Sequence, residues 1–157
     1  MRLPVFALAL VFAACGSEPA PPSPEQAAVF TQPVDAELVV AAAPNAMRYA
    51  TARIEAPAGA TVRIVMDNSG TSSPTMIHNV VVLRTAADVQ RVGRAAAADA
   101  DHLPNDPAVL TATPLAGPGQ RTAVVFTMPA AGEYPFICTY PGHFQFMQGT
   151  LVSTPAG

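Results

Sequence analysis

Short β-strand patterns separated by turn residues recur from residue 35 onward, and they constrain the fold more than any other feature. The clearest is TVRIVMDN, in which Val62, Ile64 and Met66 alternate with their neighbours before a Ser-Gly-rich turn. The other strand patterns are AELVVAA, MRYATARIEAP, MIHNVVVL, RTAVVFTM, GEYPFIC and MQGTLVS. Seven or eight short strands of this kind predict an all-β fold, a Greek-key β-sandwich.

One stretch interrupts the strand pattern. Residues 85–103, TAADVQRVGRAAAADADHL, are rich in alanine, carry Asp88 near their start and stop before Pro104. These features predict a short helical insertion in the sandwich. His102 lies in the polar stretch ADADHLPND at the end of this segment. We interpret it as a solvated loop residue, and its acidic neighbours as a solvated face rather than a cation site.

The N-terminal segment is typical of an exported protein. Residues 1–14, MRLPVFALALVFAA, combine a positive start with a short apolar run and small residues, which predicts a signal peptide. Cys15 follows directly and resembles the lipidated cysteine of bacterial lipoproteins, although simple cleavage near Ala14 remains an alternative. Residues 15–34 are rich in Pro and Ala and predict an extended tether, with the folded domain at 35–157. We therefore expect a lipid-anchored protein on the periplasmic side or the surface of a bacterial membrane.

Charge and cysteine content narrow the function. The formal net charge is −3, only 12% of residues are charged and no basic stripe is present, which argues against nucleic-acid binding. The chain has two cysteines, Cys15 and Cys138. A lipid on Cys15 would leave no disulfide partner for Cys138 in an oxidising compartment. Metal coordination would protect that thiol.

The stretch CTYPGHFQFM places three potential metal ligands around a Pro-Gly turn. Cys138, His143 and Met147 fall within ten residues, and His78 lies in the apolar strand pattern MIHNVVVL without an acidic neighbour. Two imidazoles, a thiolate and a weak thioether are the ligands of a blue-copper site. Singly, each residue is also compatible with core packing.

Two enzyme classes fit this sequence less well. A cysteine nucleophile would need a histidine base and an orienting residue such as Asn79, and this leaves Met147 unexplained. A multicopper enzyme would need ligands for further copper ions, but the chain has only three histidines. We therefore predict a protein that is not an enzyme.

Three motifs carry a resemblance to a known family: MIHNVVVL, the TAADVQ that follows it, and CTYPGHFQFMQGTLV. Over roughly residues 35–153 the chain resembles a cupredoxin of the azurin and auracyanin group. The resemblance implies one copper ion with His78, Cys138 and His143 as equatorial ligands and Met147 as the axial ligand. It also implies a weak second axial contact from the carbonyl of Ile77, where the family has glycine. Supporting hydrogen bonds would come from Asn79, which ties the two ligand loops together, and from Thr139.

The same resemblance implies a function. The protein would be a monomeric one-electron carrier that cycles between Cu(I) and Cu(II) and exchanges electrons with cytochromes or other membrane-associated electron-transfer complexes. Electrons would pass through His143, surrounded by an apolar docking patch made of Met76, Tyr140, Pro141, Gly142, Phe144 and Phe146. The alternative is a copper-handling protein that delivers or stores the metal.

Overall fold

The structure is a computed structural model, and it describes residues 21–157. The predicted signal peptide and Cys15 lie outside the described residues. Residues 21–157 form two α-helices, α1 (Pro24–Thr31) and α2 (Val89–Ala95), and eight strands. The strands are β1 (Ala36–Ala41), β2 (Arg53–Pro57), β3 (Thr61–Asp67), β4 (Val81–Leu83), β5 (Val109–Ala112), β6 (Arg121–Thr127), β7 (Gly132–Ile137) and β8 (Gln148–Thr154).

The strands form two sheets, with the orders β1-β3-β6 and β2-β8-β7-β4-β5. The pairs β1–β3 and β2–β8 are parallel, whereas the other pairs are antiparallel. The predicted β-sandwich with a short helical insertion is confirmed. The insertion consists of α2 with a 3-10 turn on either side, Ala86–Asp88 and Ala96–Ala98.

The apolar run of β4 is buried on both faces. Val80 and Val82 belong to the main core between the sheets, together with Cys138. Val81 and Leu83 belong to a second cluster, in which α2 packs against the outside of the larger sheet. The helical insertion therefore removes the second face of β4 from water.

The structure shortens two predicted strands and adds one that was not predicted. MIHNVVVL is regular strand only at Val81–Leu83, and His78 makes an isolated bridge to Ala116. The regular pairing stops there because the N–H of Val80 donates to the side-chain Oγ1 of Thr113, at 3.0 Å, instead of to a carbonyl. The pattern over 47–57 yields only β2, and β5 was not predicted.

The prediction of an extended tether over residues 15–34 is wrong at its C-terminal end, where residues 24–31 form α1. Ser23 caps this helix by accepting a hydrogen bond from the N–H of Gln26, and Pro24 stands in the first turn, where proline is tolerated. The side chain of Gln26 bonds both the N–H and the C=O of Ala123 in β6. The helix is thereby docked on the smaller sheet.

A buried arginine fastens the end of α1. The guanidinium of Arg63, in β3, donates to the carbonyls of Val29 and Gln32 and pairs with Glu37 at 2.9 Å. Hydrogen bonds from a charged donor are stronger than neutral ones, and a buried guanidinium needs partners. The three acceptors around Arg63 therefore hold the N-terminal arm against the domain.

We expect Arg63→Met to release α1 while the sandwich stays folded. The variant keeps an unbranched side chain of apolar atoms but loses the donors to both carbonyls, each worth about 1.5–3 kcal/mol when charged. Amide hydrogen exchange of residues 26–33 should accelerate at least roughly tenfold. Arg53→Met, which removes an exposed ion pair with Glu133, is the matched control and should leave that exchange unchanged. Equal protection in the two variants would contradict the role of Arg63.

Within residues 21–157, neither helix has the length and apolar character needed to cross a bilayer.

Candidate metal centre

The connection between β7 and β8, residues 138–147, is a turn whose two ends lie side by side. The N–H of Cys138 donates to the carbonyl of Met147 at 3.1 Å, so the two ends of the turn are hydrogen-bonded. Gly142 has φ +83°, a left-handed conformation that glycine adopts without a Cβ clash. The N–H of His143 then donates to the carbonyl of Tyr140 at 3.0 Å. This geometry brings the His143 ring back beside Cys138.

Three donor atoms converge beneath this turn. The Sγ of Cys138 lies 3.7 Å from the Nδ1 of His143 and 3.9 Å from the Nδ1 of His78, and the two nitrogens are 3.2 Å apart. All three side chains are buried, and His143 retains 4% exposure. Their donor atoms lie within 4.8 Å of one another, so together they could hold one metal ion. His78 and Cys138, sixty residues apart, are brought together by the pairing of β4 with β7.

Burial sets the protonation of these groups. It lowers the pKa of His78 to about 4, with a smaller contribution from His143, and it also lowers the pKa of His143. Both imidazoles are therefore neutral near pH 7 and offer a lone pair. Burial raises the pKa of the Cys138 thiol to about 11, opposed by hydrogen bonds from the backbone N–H groups of Asn79 and Tyr140.

This donor set fits a copper ion. A buried thiolate is unfavourable without a cation, and metal binding supplies one while it displaces the thiol proton. One soft sulfur and two imidazole nitrogens suit copper in either of its common oxidation states. The residues that converge here are therefore compatible with the copper site that the sequence predicts.

Asn79 joins the two segments that carry the donors. Its Nδ2 donates to the Oγ1 of Thr139 and its Oδ1 accepts from the N–H of Thr139, both at 2.8 Å. The backbone carbonyl of Asn79 also accepts from the hydroxyl of Tyr49 at 2.5 Å. Burial raises the pKa of Tyr49 well above its usual value, so this hydroxyl remains a donor. The strand of His78 and the loop of Cys138 are therefore cross-linked by buried hydrogen bonds.

We expect Asn79→Ala to lower the free energy of unfolding of the metal-free protein by about 2 kcal/mol. The substitution leaves the N–H of Thr139 without its acceptor in a fully buried place, and such groups cost about 1–3 kcal/mol. Urea unfolding measures the change. Asn105→Ala, at an exposed loop position, is the control and should change stability by less than about 0.5 kcal/mol. A variant as stable as the control would show that the cross-link contributes nothing.

The other predicted ligands lie close by. Met147 is fully buried and belongs to the same core cluster as Cys138. Ile77 is half-buried and directly precedes His78. Met147 therefore lies near the metal-donor residues in the core, and Ile77 is next to one of them in sequence.

Part of the predicted docking patch lies at the surface. Pro141 and Gly142 are exposed, Phe146 is 63% exposed, and Met76 and Tyr140 are half-buried. Phe144, with 5% exposure, was wrongly assigned to this surface. It packs inward against α2 in the second hydrophobic cluster, because Gly93 leaves room for its ring.

Two further residues contact the site, and neither was predicted from the sequence. Tyr49 stood in a strand pattern and gave no signal of its hydrogen bond to Asn79. The interpretation of His102 as a solvated loop residue is wrong, because it is half-buried and its carbonyl accepts from the Thr139 hydroxyl at 2.6 Å. Its position in an aspartate-rich loop concealed this contact.

Comparison with known proteins identifies the family. The family model for copper binding proteins of the plastocyanin/azurin family matches residues 36–153. The chain belongs to this plastocyanin/azurin family. Family membership assigns a copper cofactor and makes the His78, Cys138 and His143 cluster a possible site for one ion.

Relatives place the chain among the azurins and auracyanins of the plastocyanin/azurin family. It is 32% identical to auracyanin-A of Chloroflexus aurantiacus over 151 residues, which covers 93% of this chain and 90% of that protein. It is 36% identical to azurin iso-2 of Methylomonas sp. strain J over 115 residues, which covers 68% of this chain and 89% of that protein. A solved structure of auracyanin A, titled a "blue" copper protein, matches with a TM-score of 0.68 at 30% identity, covering 74% of this chain and 97% of that one. This group comprises blue copper electron carriers, which are not enzymes.

Proposed function

We propose that this protein is a one-electron carrier with a single type 1 copper site. His78, Cys138 and His143 would hold the copper ion, with weaker contacts from Met147 and from the carbonyl of Ile77. The convergence of two neutral imidazoles and one thiol in a buried cluster carries the proposal. When bound, copper supplies a Cu(I)/Cu(II) couple.

The surrounding residues hold the ligands in one arrangement. Asn79 fixes Thr139, the residue after Cys138, through two hydrogen bonds. The turn of residues 138–147 is closed by the bond from the Cys138 N–H to the Met147 carbonyl. Ligands restrained in this way move little when the charge of the site changes, which lowers the reorganisation required for electron transfer.

Burial favours this carrier over the copper-handling alternative. His78 and Cys138 are fully buried and His143 is 4% exposed. Delivery of the ion to another protein needs ligands that an incoming donor group can reach. A site that reaches the surface only at the edge of His143 retains its ion and exchanges only electrons.

Electrons would enter and leave through the His143 side of the site. His143 is the one member of the cluster with residual exposure, and its turn presents Pro141, Gly142 and the exposed ring of Phe146. A small apolar surface of this kind suits brief, weak docking with redox partners such as cytochromes or electron-transfer complexes. The carrier would act as a monomer and without nucleic acid.

The N-terminal sequence supports a membrane-attached, exported carrier. Residues 1–14 would be removed as a signal peptide, and Cys15 would be lipidated and become the mature N-terminus. The domain would then lie on the periplasmic side or the cell surface. The intact mass of the mature protein tests this, since a diacyl or triacyl group on Cys15 is expected and an unmodified N-terminus would contradict it.

Optical spectroscopy with a potentiometric titration tests the proposed function. Copper-loaded protein should show an intense blue thiolate-to-Cu(II) band that disappears on one-electron reduction and returns on oxidation with the metal retained. Zinc-loaded protein is the control and should be colourless and redox-inactive. A colourless Cu(II) complex, or loss of the ion on each reduction, would contradict electron carriage.

A further inference from the structure

His102 has a backbone conformation that is uncommon for residues other than glycine. Its φ is +54°, in the left-handed region where side chains with a Cβ are strained. Such residues persist where the surroundings hold them, and they concentrate at functional sites. His102 is half-buried, and its N–H, its carbonyl, its Nδ1 and its ring each contact another residue.

The carbonyl of His102 completes a hydrogen-bond chain that begins at Asn79. The Nδ2 of Asn79 donates to the Oγ1 of Thr139, so the Thr139 hydroxyl proton is free to donate onward. Its acceptor is the carbonyl of His102, at 2.6 Å. The hydroxyl thus has one donor and one acceptor in a buried place, which fixes its rotamer. Thr139 directly follows Cys138 in the chain.

The ring of His102 supports the other side of the same loop. It meets the Tyr140 ring edge-on, with centroids 5.4 Å apart and planes at 89°. Tyr140 in turn packs against His143, with centroids 5.0 Å apart. The Nδ1 of His102 lies 3.1 Å from the carbonyl of Ala96, which anchors the ring to the helical insertion.

Ion pairs brace the segment between β4 and β5, which carries His102. Arg91 in α2 pairs with Asp88, which precedes α2, and with Asp106, which follows His102. These hydrogen bonds hold the pKa of both carboxyl groups below their usual range, so both are charged near neutral pH. Gly93 of α2 also packs directly on Phe144, which follows His143. The segment between β4 and β5 therefore contacts Thr139, next to Cys138, and Phe144, next to His143.

We propose that His102 is a positioning residue of the metal centre. Its carbonyl fixes Thr139 beside Cys138, and its ring fixes Tyr140 against His143, so that the segment between β4 and β5 sets the geometry of the Cys138 sulfur and of the His143 imidazole. This assignment rests on the proposed function, since it concerns the same site. The segment that carries His102 then influences the spectrum and the reduction potential of the bound metal, in addition to packing against the sheet.

Two substitutions on the full-length mature chain separate the contributions. His102→Asn keeps the left-handed backbone, which asparagine tolerates, and so keeps the carbonyl contact while it removes the ring. His102→Val removes the ring and disfavours the left-handed conformation, because its side chain is β-branched. Asn105→Ala, in the same loop and without such contacts, is the matched control.

The readouts are the charge-transfer spectra of the Cu(II)- and Co(II)-loaded proteins, the reduction potential, and the rate of copper loss to a chelator. We expect His102→Val to shift both spectra and the potential and to speed copper loss roughly tenfold, and His102→Asn to have a smaller effect in the same direction. The control should match the parent. Unchanged spectra and potential in His102→Val, with only a lower melting temperature of the zinc-loaded form, would overturn the positioning role.

The cobalt measurement keeps the two proposals apart. Cobalt reports ligand geometry whether or not the protein carries electrons. A parent protein without a blue copper band would contradict the proposed function, whereas shifts in the cobalt spectrum would still support the role of His102. A blue parent with variants identical to it would contradict only the role of His102.

Discussion

Replacing Cys138 with serine is expected to abolish the intense blue absorption of the copper-loaded protein completely. The band requires charge transfer from a thiolate sulfur to Cu(II), and a serine hydroxyl neither ionises near neutral pH nor donates in this way. The substitution conserves shape at a fully buried position, so the fold should be retained. Absorption spectra and copper content of the variant measure the effect.

The chain supplies its own control for this experiment. Cys15→Ser removes the only other cysteine and should leave the band intact. If Cys138→Ser stayed blue, the sulfur would not be a ligand, and the type 1 assignment would be wrong. If Cys15→Ser lost the band, the cluster of His78, Cys138 and His143 would not be sufficient to account for it.

The largest expected effect on stability comes from Gly149→Ala. A Cβ at this position of β8 would lie 2.2 Å from the Phe136 ring and 2.7 Å from the backbone oxygen of Ala52. Phe136 is fully buried and Ala52 would have to move its main chain, so the clash cannot be relieved cheaply. We expect a loss of about 3 kcal/mol in the free energy of unfolding, at the upper end for overpacking a core.

Gly70→Ala is the matched control for this prediction. A Cβ there would meet only a Pro44 side-chain atom at 3.5 Å, an ordinary contact. Thermal or urea unfolding of the two metal-free variants gives the comparison. Similar stabilities would show that the close approach at Gly149 relaxes without cost.

The sequence predicted the sandwich and the convergence of the site well, because both follow from local patterns. Alternating and continuous apolar runs mark most strands, and the spacing of Cys138 and His143 around Pro141 and Gly142 already encodes the turn. His78 could be associated with them since a histidine in an apolar strand needs a partner. These signals depend on residues close in sequence or on a single unusual residue type.

What the sequence did not reveal depends on contacts between distant segments. Residues 24–31 form α1 and are held on the sheet by Arg63, which is more than thirty residues away in sequence. The Pro and Ser residues of that stretch instead indicated an extended chain. Phe144 looked like part of a surface patch, but its direction depends on α2 and Gly93. His102 looked solvated because the partners of its ring and its carbonyl lie in another loop.

The docking of α1 also determines where the N-terminal segment leaves the domain. Pro21, Pro22 and Ser23 line a groove with Pro114 and Leu115, and the next residue, Ala116, bridges to His78. The N-terminal segment therefore leaves the domain at the end that carries the candidate metal site, whereas β8 carries the C-terminus to the opposite end. Immobilisation on an electrode through the N-terminus would bring the redox centre toward the conductor, and immobilisation through Gly157 would hold it away.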